Sequence, residues 1–179
     1  RQRQMCIRDR RYSDKVQDKQ AAKFFGMIEN IDDNVGRLVD LLEERGLTQK
    51  TLVIYMNDNG GTAGVKIYNA GMRGSKVQQW WGGTRAMSLW RWPGTLKPAN
   101  VDSLVSATDF FPTMIELTGV KVPAEVAAKL EGKSLVPLLH DPMAKWNNDR
   151  FLYTHVGRWP AGAAPSKYGG CSVRMNKYQ

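Results

Sequence analysis

Residues 51–56, TLVIYM, form an unbroken run of β-branched and apolar side chains that stops abruptly at Asn57-Asp58-Asn59-Gly60-Gly61. A run of this length without alternation reads as a strand covered on both faces, and such strands belong to mainly parallel sheets wrapped by helices. The stretch before it is helical: Val16, Phe24, Phe25, Met27, Ile28, Ile31, Val35, Leu38, Val39 and Leu42 recur every three or four residues, with Asp32, Asp33, Glu43 and Glu44 mostly opposite. Ser13 is placed to cap that helix and Gly46 to end it. Residues 57–83, rich in Gly, Asn and basic side chains and without a period, read as one long loop, a feature that is often functional in a compact domain.

A second short strand is expected over residues 86–92, closed by Pro93-Gly94. A helix over 109–118 starts at Ser106 or Thr108, carries Pro112 in its first turn and stops at Gly119. Residues 135–139 suggest a further short helix, and 151–156 and 171–178 suggest strands. This order predicts an α/β fold with a mainly parallel sheet flanked by helices. In such sheets ligands gather beyond the carboxyl ends of the strands, which is where Asp58 and Asn59 fall. The first residue is not Met and the last predicted strand runs into the final residues, so the chain is expected to be part of a longer protein.

The 179 residues hold 26 Lys and Arg against 17 Asp and Glu, a net charge of +9. An excess of that size raises a polyanion partner. Its position argues otherwise: residues 1–11 carry +4, residues 150–179 carry +5, and the 138 residues between hold 16 bases and 16 acids. No nucleic-acid partner is therefore expected, and a basic nucleic-acid-binding module stands as the alternative from another functional class. The longest clean apolar stretch, residues 52–56, is far short of the roughly 20 residues a membrane-spanning helix needs. Cys6 and Cys171 are the only cysteines and lack zinc-site spacing, which excludes a disulfide framework. Residues 1–11 have no periodicity and resemble translated sequencing-adapter DNA of metagenomic reads, so they are set aside as a non-native leader.

Asp58 and Asn59 present one carboxylate and one neutral carbonyl at the end of a strand, a partial ligand set for a hard cation such as Ca²⁺ or Mg²⁺. The same residues also make a plain Asx turn, since Asp-Asn-Gly is strongly turn-forming. Lys76, within Gly71-Met72-Arg73-Gly74-Ser75-Lys76, can meet a sulfate or phosphate oxygen as a compact charge, or simply sit in a solvated loop. Neither a P-loop nor a G-x-G-x-x-G spacing is present. Trp80 and Trp81 are candidates for lining a substrate cleft beside Lys76, while Trp90 and Trp92 read as packing and anchoring residues. His155 falls on a late strand, as a substrate-edge residue or a packed one, and His140 reads as a residue at the C-terminus of a short helix. Cys171 reads as a small buried hydrophobe.

Thr51-Leu52-Val53-Ile54-Tyr55-Met56-Asn57-Asp58-Asn59-Gly60, Gly71-Met72-Arg73-Gly74-Ser75-Lys76, Gly82-Gly83-Thr84-Arg85, Trp90-Arg91-Trp92-Pro93-Gly94 and Asp109-Phe110-Phe111-Pro112-Thr113 occur in the order seen in the sulfatase family, as does Ile31-Asp32-Asp33-Asn34-Val35-Gly36-Arg37-Leu38 before them. The chain resembles the later part of an arylsulfatase-type sulfuric ester hydrolase over about residues 20–178. The resemblance implies an alkaline-phosphatase-like α/β fold, with residues 12–140 from the catalytic domain and 141–179 opening a smaller β-containing C-terminal subdomain. It implies Asp58 and Asn59 as Ca²⁺ ligands and Lys76 as the lysine that holds the sulfate group. It further implies a formylglycine nucleophile made from Cys or Ser in C/S-x-P-x-R, a sulfated small molecule or carbohydrate as substrate, and a periplasmic or secreted location. A metal-dependent phosphoesterase of the same superfamily is the alternative enzyme.

The departures are specific. Trp81 stands where family members usually have Glu, and Ala86-Met87 where they have Val-Pro. Arg73 and Arg85 match recurrent family positions without an assigned role. C/S-x-P-x-R occurs nowhere, and Cys6-Ile7-Arg8-Asp9-Arg10 lacks the proline, so no nucleophile is expected in this chain and the fragment alone is expected to be inactive.

Overall fold

The computed structural model describes residues 2–146 and 149–176, with side chains from residue 7 onward. The chain divides into two compact units, Arg1–Pro93 and Gly94–Gln179.

In the first unit, helix α1 (Gln2–Ser13) packs along helix α2 (Lys19–Glu44). The segment that the sequence sets apart is therefore helical, and the reason is pairing across helices: Arg8 donates to Asp33 and Arg11 to Glu29. Gly26 permits the close approach, since a Cβ there would lie 2.8 Å from Asp9 Oδ1 and 3.0 Å from its backbone nitrogen. The Cys6 side chain lies outside the described residues. Helix α2 is capped by Asp18, whose carboxylate accepts from the backbone N–H of Gln20 and Ala21. Ser13 does not cap it, because its hydroxyl is committed to the Arg10 carbonyl at 2.8 Å within α1. Gly46 ends α2 as expected: at φ +63° it allows Leu47 N–H to reach Leu42 O and Gly46 N–H to reach Glu43 O, a Schellman closure.

Strand β1 (Val53–Met56) pairs with strand β2 (Ser88–Arg91), in the register Val53↔Arg91 to Met56↔Ser88. The pairing is antiparallel, which corrects the mainly parallel sheet expected from the strand's composition. A parallel crossover needs a connection that returns to the start of the first strand. Here residues 57–87 instead fold on themselves through a 3₁₀ turn (Ala63–Lys66) and the short helix α3 (Trp81–Thr84), and re-enter at the carboxyl end of β1, where Asn57 N–H bonds Met87 O at 3.0 Å. With one partner strand, β1 is half-buried and not covered on both faces, and Met56 is exposed. Trp92 anchors the end of β2 by donating from Nε1 to Gln49 O at 2.9 Å.

In the second unit, Ser106 opens a 3₁₀ turn (Ala107–Asp109) with a full capping box to Asp109, and helix α4 (Phe110–Thr118) follows and stops at Gly119, φ +66°. Helices α5 (Ala124–Ala127) and α6 (Val136–His140) come next, with His140 exposed at the last position of α6. Strands β3 (Leu152–His155) and β4 (Cys171–Arg174) pair antiparallel. Cys171 is half-buried, its thiol directed at Tyr168 O at 3.2 Å.

The core of this unit includes polar residues at the start of α4. Asp109 and Thr113 are fully buried, Leu104, Leu138, Trp146 and Arg150 are buried as well, and Phe111 is exposed. Among the described residues no helix is long and apolar enough to cross a membrane.

Candidate functional site

Strand β1 delivers the chain to Asp58 and Asn59, and glycines then lace the following loop together. Gly60 N–H donates to Gly83 O at 2.9 Å, Lys76 N–H to Gly61 O at 2.9 Å, and Gly82 N–H to Arg73 O at 2.7 Å. No side chain fits at these crossings. A Cβ on Gly60 would lie 1.9 Å from Gly82 O; on Gly82, 2.2 Å from Gly74 O; on Gly83, 2.2 Å from Gln78 O. The loop that the sequence leaves without a period is therefore a single folded body, in which Lys76 is hydrogen-bonded two residues from Asn59. Asp58, Asn59, Lys76, Trp80 and Trp81 all belong to it.

Two further residues shape the loop. Asn69 Nδ2 donates to Met72 O at 2.7 Å and to Gly74 O at 2.8 Å, closing the turn ahead of Lys76. Gln78 Oε1 accepts from Ser75 N–H at 2.9 Å. Val77, directly after Lys76, has φ +77°, a costly conformation for a β-branched residue that the surrounding bonds hold in place. Asn69 precedes Ala70-Gly71, a turn signal visible in the sequence; nothing local announces Gln78.

The donor chemistry suits a hard cation. The exposed Asp58 carboxylate makes no hydrogen bond or ion pair with the described residues. Asn59 spends its amide nitrogen on Gly60 O at 2.8 Å, which leaves Oδ1 for another partner. These are two oxygens of the roughly 6–8 that Ca²⁺ takes. Among the described residues no group of three or more His, Cys, Asp or Glu gathers to supply the rest. The Lys76 side chain is exposed and forms no ion pair with the described residues.

The two indoles are paired with arginines. The Arg73 guanidinium carbon lies 3.6 Å from the Trp80 ring centroid and that of Arg85 5.1 Å from the Trp81 centroid. His155 lies in the second unit on β3 and is engaged locally: Nδ1 accepts from Gly157 N–H at 3.1 Å, Nε2 faces Ser166 O at 3.4 Å, and the ring leans on Trp159 at 5.2 Å.

Residues 4–120 match the family described as Sulfatase, and residues 83–179 match N-sulphoglucosamine sulphohydrolase, C-terminal. The chain belongs to the sulfatase family. The uncharacterized sulfatase YdeN of Escherichia coli (strain K12) is 33% identical over 122 residues, 68% of this chain and 21% of its own. The steryl-sulfatase of Mus musculus is 34% identical over 152 residues, 76% of this chain and 24% of its own. Among solved structures, that of Ps i-CgsB aligns with a TM-score of 0.73 at 27% identity, covering 91% of this chain and 34% of that one. Its complex with k-i-k-neocarrahexaose aligns at 0.68 and 27%, covering 86% and 32%. This likeness, with the mixed helices and strands, bears out the α/β class for the sulfatase chain. The chain spans about a fifth to a third of the length of these relatives.

Proposed function

We propose that this chain is the sulfate-holding and metal-completing part of a sulfuric ester hydrolase acting on a sulfated small molecule or carbohydrate. The observation that carries this is the laced loop: in a chain of this family, two oxygen donors at the end of β1 and an unpaired lysine are tied into one rigid body by the Lys76 N–H to Gly61 O bond. Asp58 and Asn59 would hold Ca²⁺, with Mg²⁺ as the other hard cation their oxygens suit, and further ligands come from outside these two residues. A cation bound there supplies positive charge to sulfate oxygens. Lys76 gives a second positive charge to the same group, a stabilisation that grows as charge builds on the oxygens during S–O cleavage. The nucleophile, a formylglycine in C/S-x-P-x-R, must come from sequence that this chain does not contain. Trp80 and Trp81 line the approach to Lys76. The k-i-k-neocarrahexaose bound by a structural neighbour supports a carbohydrate ester as substrate.

The test is turnover of aryl sulfate and aryl phosphate. The 179 residues alone are expected to hydrolyse neither. A parent chain that includes C/S-x-P-x-R is expected to cleave the sulfate ester, and Lys76→Ala in it to lower kcat by about 10²–10³-fold. Dominant phosphate cleavage, or a parent without the motif, overturns the proposal in favour of a phosphoesterase.

A further inference from the structure

We infer that Arg73 and Arg85, each laid against an indole in the loop that carries Lys76, form a second anion subsite for a substrate bearing more than one anionic ester. The inference rests on the sulfatase proposal for which ester is cleaved, and adds what the rest of that substrate must carry.

Charge is the first support. Residues 45–101 hold eight Lys and Arg, and Asp58 is their only acid. Balance over the whole body conceals this, because α2 collects acids and the loop collects bases. The three ion pairs among the described residues involve Arg8, Arg11 and Arg150, so no carboxylate neutralises Arg73, Lys76 or Arg85, and all three are exposed.

Geometry is the second. At 3.6 Å the Arg73 guanidinium lies over the Trp80 ring, and its N–H groups make no hydrogen bond with the described residues. A planar fork of donors held by its face matches two oxygens of a sulfate or similar group, which a lysine cannot do. Trp80 and Trp81 are adjacent at the start of α3, and Gly82 N–H of that helix holds Arg73 O at 2.7 Å. Both arginine–indole pairs therefore move as one body with Lys76. Arg85 faces the Trp81 ring, which leaves its charge available.

The test titrates the ¹⁵N-labelled 179-residue chain at low ionic strength with inorganic sulfate and with unsulfated, monosulfated and disulfated disaccharides, reading the Arg Nε–H and Trp Nε1–H resonances. Disulfated sugar is expected to bind about tenfold more tightly than monosulfated sugar and to shift the Arg73 and Trp80 resonances. Arg73→Gln, which retains the backbone bond to Gly82, is expected to abolish that advantage; Arg73→Lys is expected to recover little of it. Equal affinity for both sugars, an unchanged ratio in Arg73→Gln, the absence of any shift, or equally tight binding of a short single-stranded DNA overturns the inference. Substituting the corresponding mono- and diphosphorylated sugars separates the two proposals. If phosphate esters prevail at about pH 5, where both esters carry one charge, the proposed preference for a sulfate ester fails, yet the ratio of doubly to singly esterified sugar and its loss in Arg73→Gln still decide the subsite.

Discussion

Asp109 is fully buried and its carboxylate accepts four hydrogen bonds: from Ser106 N at 2.7 Å, Lys133 N at 2.8 Å, and Arg150 Nη1 and Nη2 at 2.6 and 2.8 Å. Thr113 extends the network, donating to Asp109 O at 2.6 Å and accepting from Leu135 N at 2.9 Å. Three separated stretches of the second unit thus converge on one charge. Deleting one member of such a pair leaves the other buried without compensation. Asp109→Ala is expected to destabilise the chain by about 3–5 kcal/mol in urea titrations followed by tryptophan fluorescence, and the double change with Arg150→Met is expected to cost less than Asp109→Ala alone. A double variant as unstable as the single one would show that the carboxylate's backbone partners matter more than the ion pair. By sequence Arg150 counts towards the basic C-terminal excess. In the structure it is an interior cation, and no local pattern could reveal a partner 41 positions away.

At the scale of elements, backbone conformation decides what a residue is worth. Gly46 and Gly36 both have open space where a Cβ would go. Gly46 sits at φ +63° just beyond α2, so Gly46→Ala is expected to destabilise the chain by about 1–2 kcal/mol. Gly36 lies inside α2, where Gly36→Ala is expected to stabilise by about 0.5–1 kcal/mol. Thermal unfolding followed by helical circular dichroism checks both, and shifts of the same sign would refute the argument. The helix stop at Gly46 was readable because left-handed closure needs glycine nearby in sequence. The start was not, since Ser13 and Asp18 are both good caps and packing of α1 against α2 selects between them. Likewise the strands were legible, but their direction depends on how residues 57–87 fold back.

The whole molecule has two compact units joined at Pro93 and Gly94, and residues 94–103 after the junction carry no helix or strand. Exposed backbone of this kind opens easily to a protease. Limited proteolysis with a broad-specificity protease is therefore expected to cut first within residues 94–103 and to leave two resistant fragments; a first cut inside residues 57–87 would contradict the lacing of the loop.

The sequence by itself determined the family, through ordered motifs from residue 51 to 113, together with the existence of most elements and the residues that carry charge and oxygen donors. Those properties are local: periodicity, turn chemistry and side-chain type are written within a few residues. Tertiary structure alone decided that the glycines at 60, 82 and 83 bring Lys76 to the end of β1, that Arg73 lies on Trp80, that Asp109 and Arg150 neutralise each other, and that the sheets pair antiparallel. Each of these depends on a close approach between segments far apart in the chain, where the absence of a side chain or the presence of one charge has meaning only once the other segment is in place.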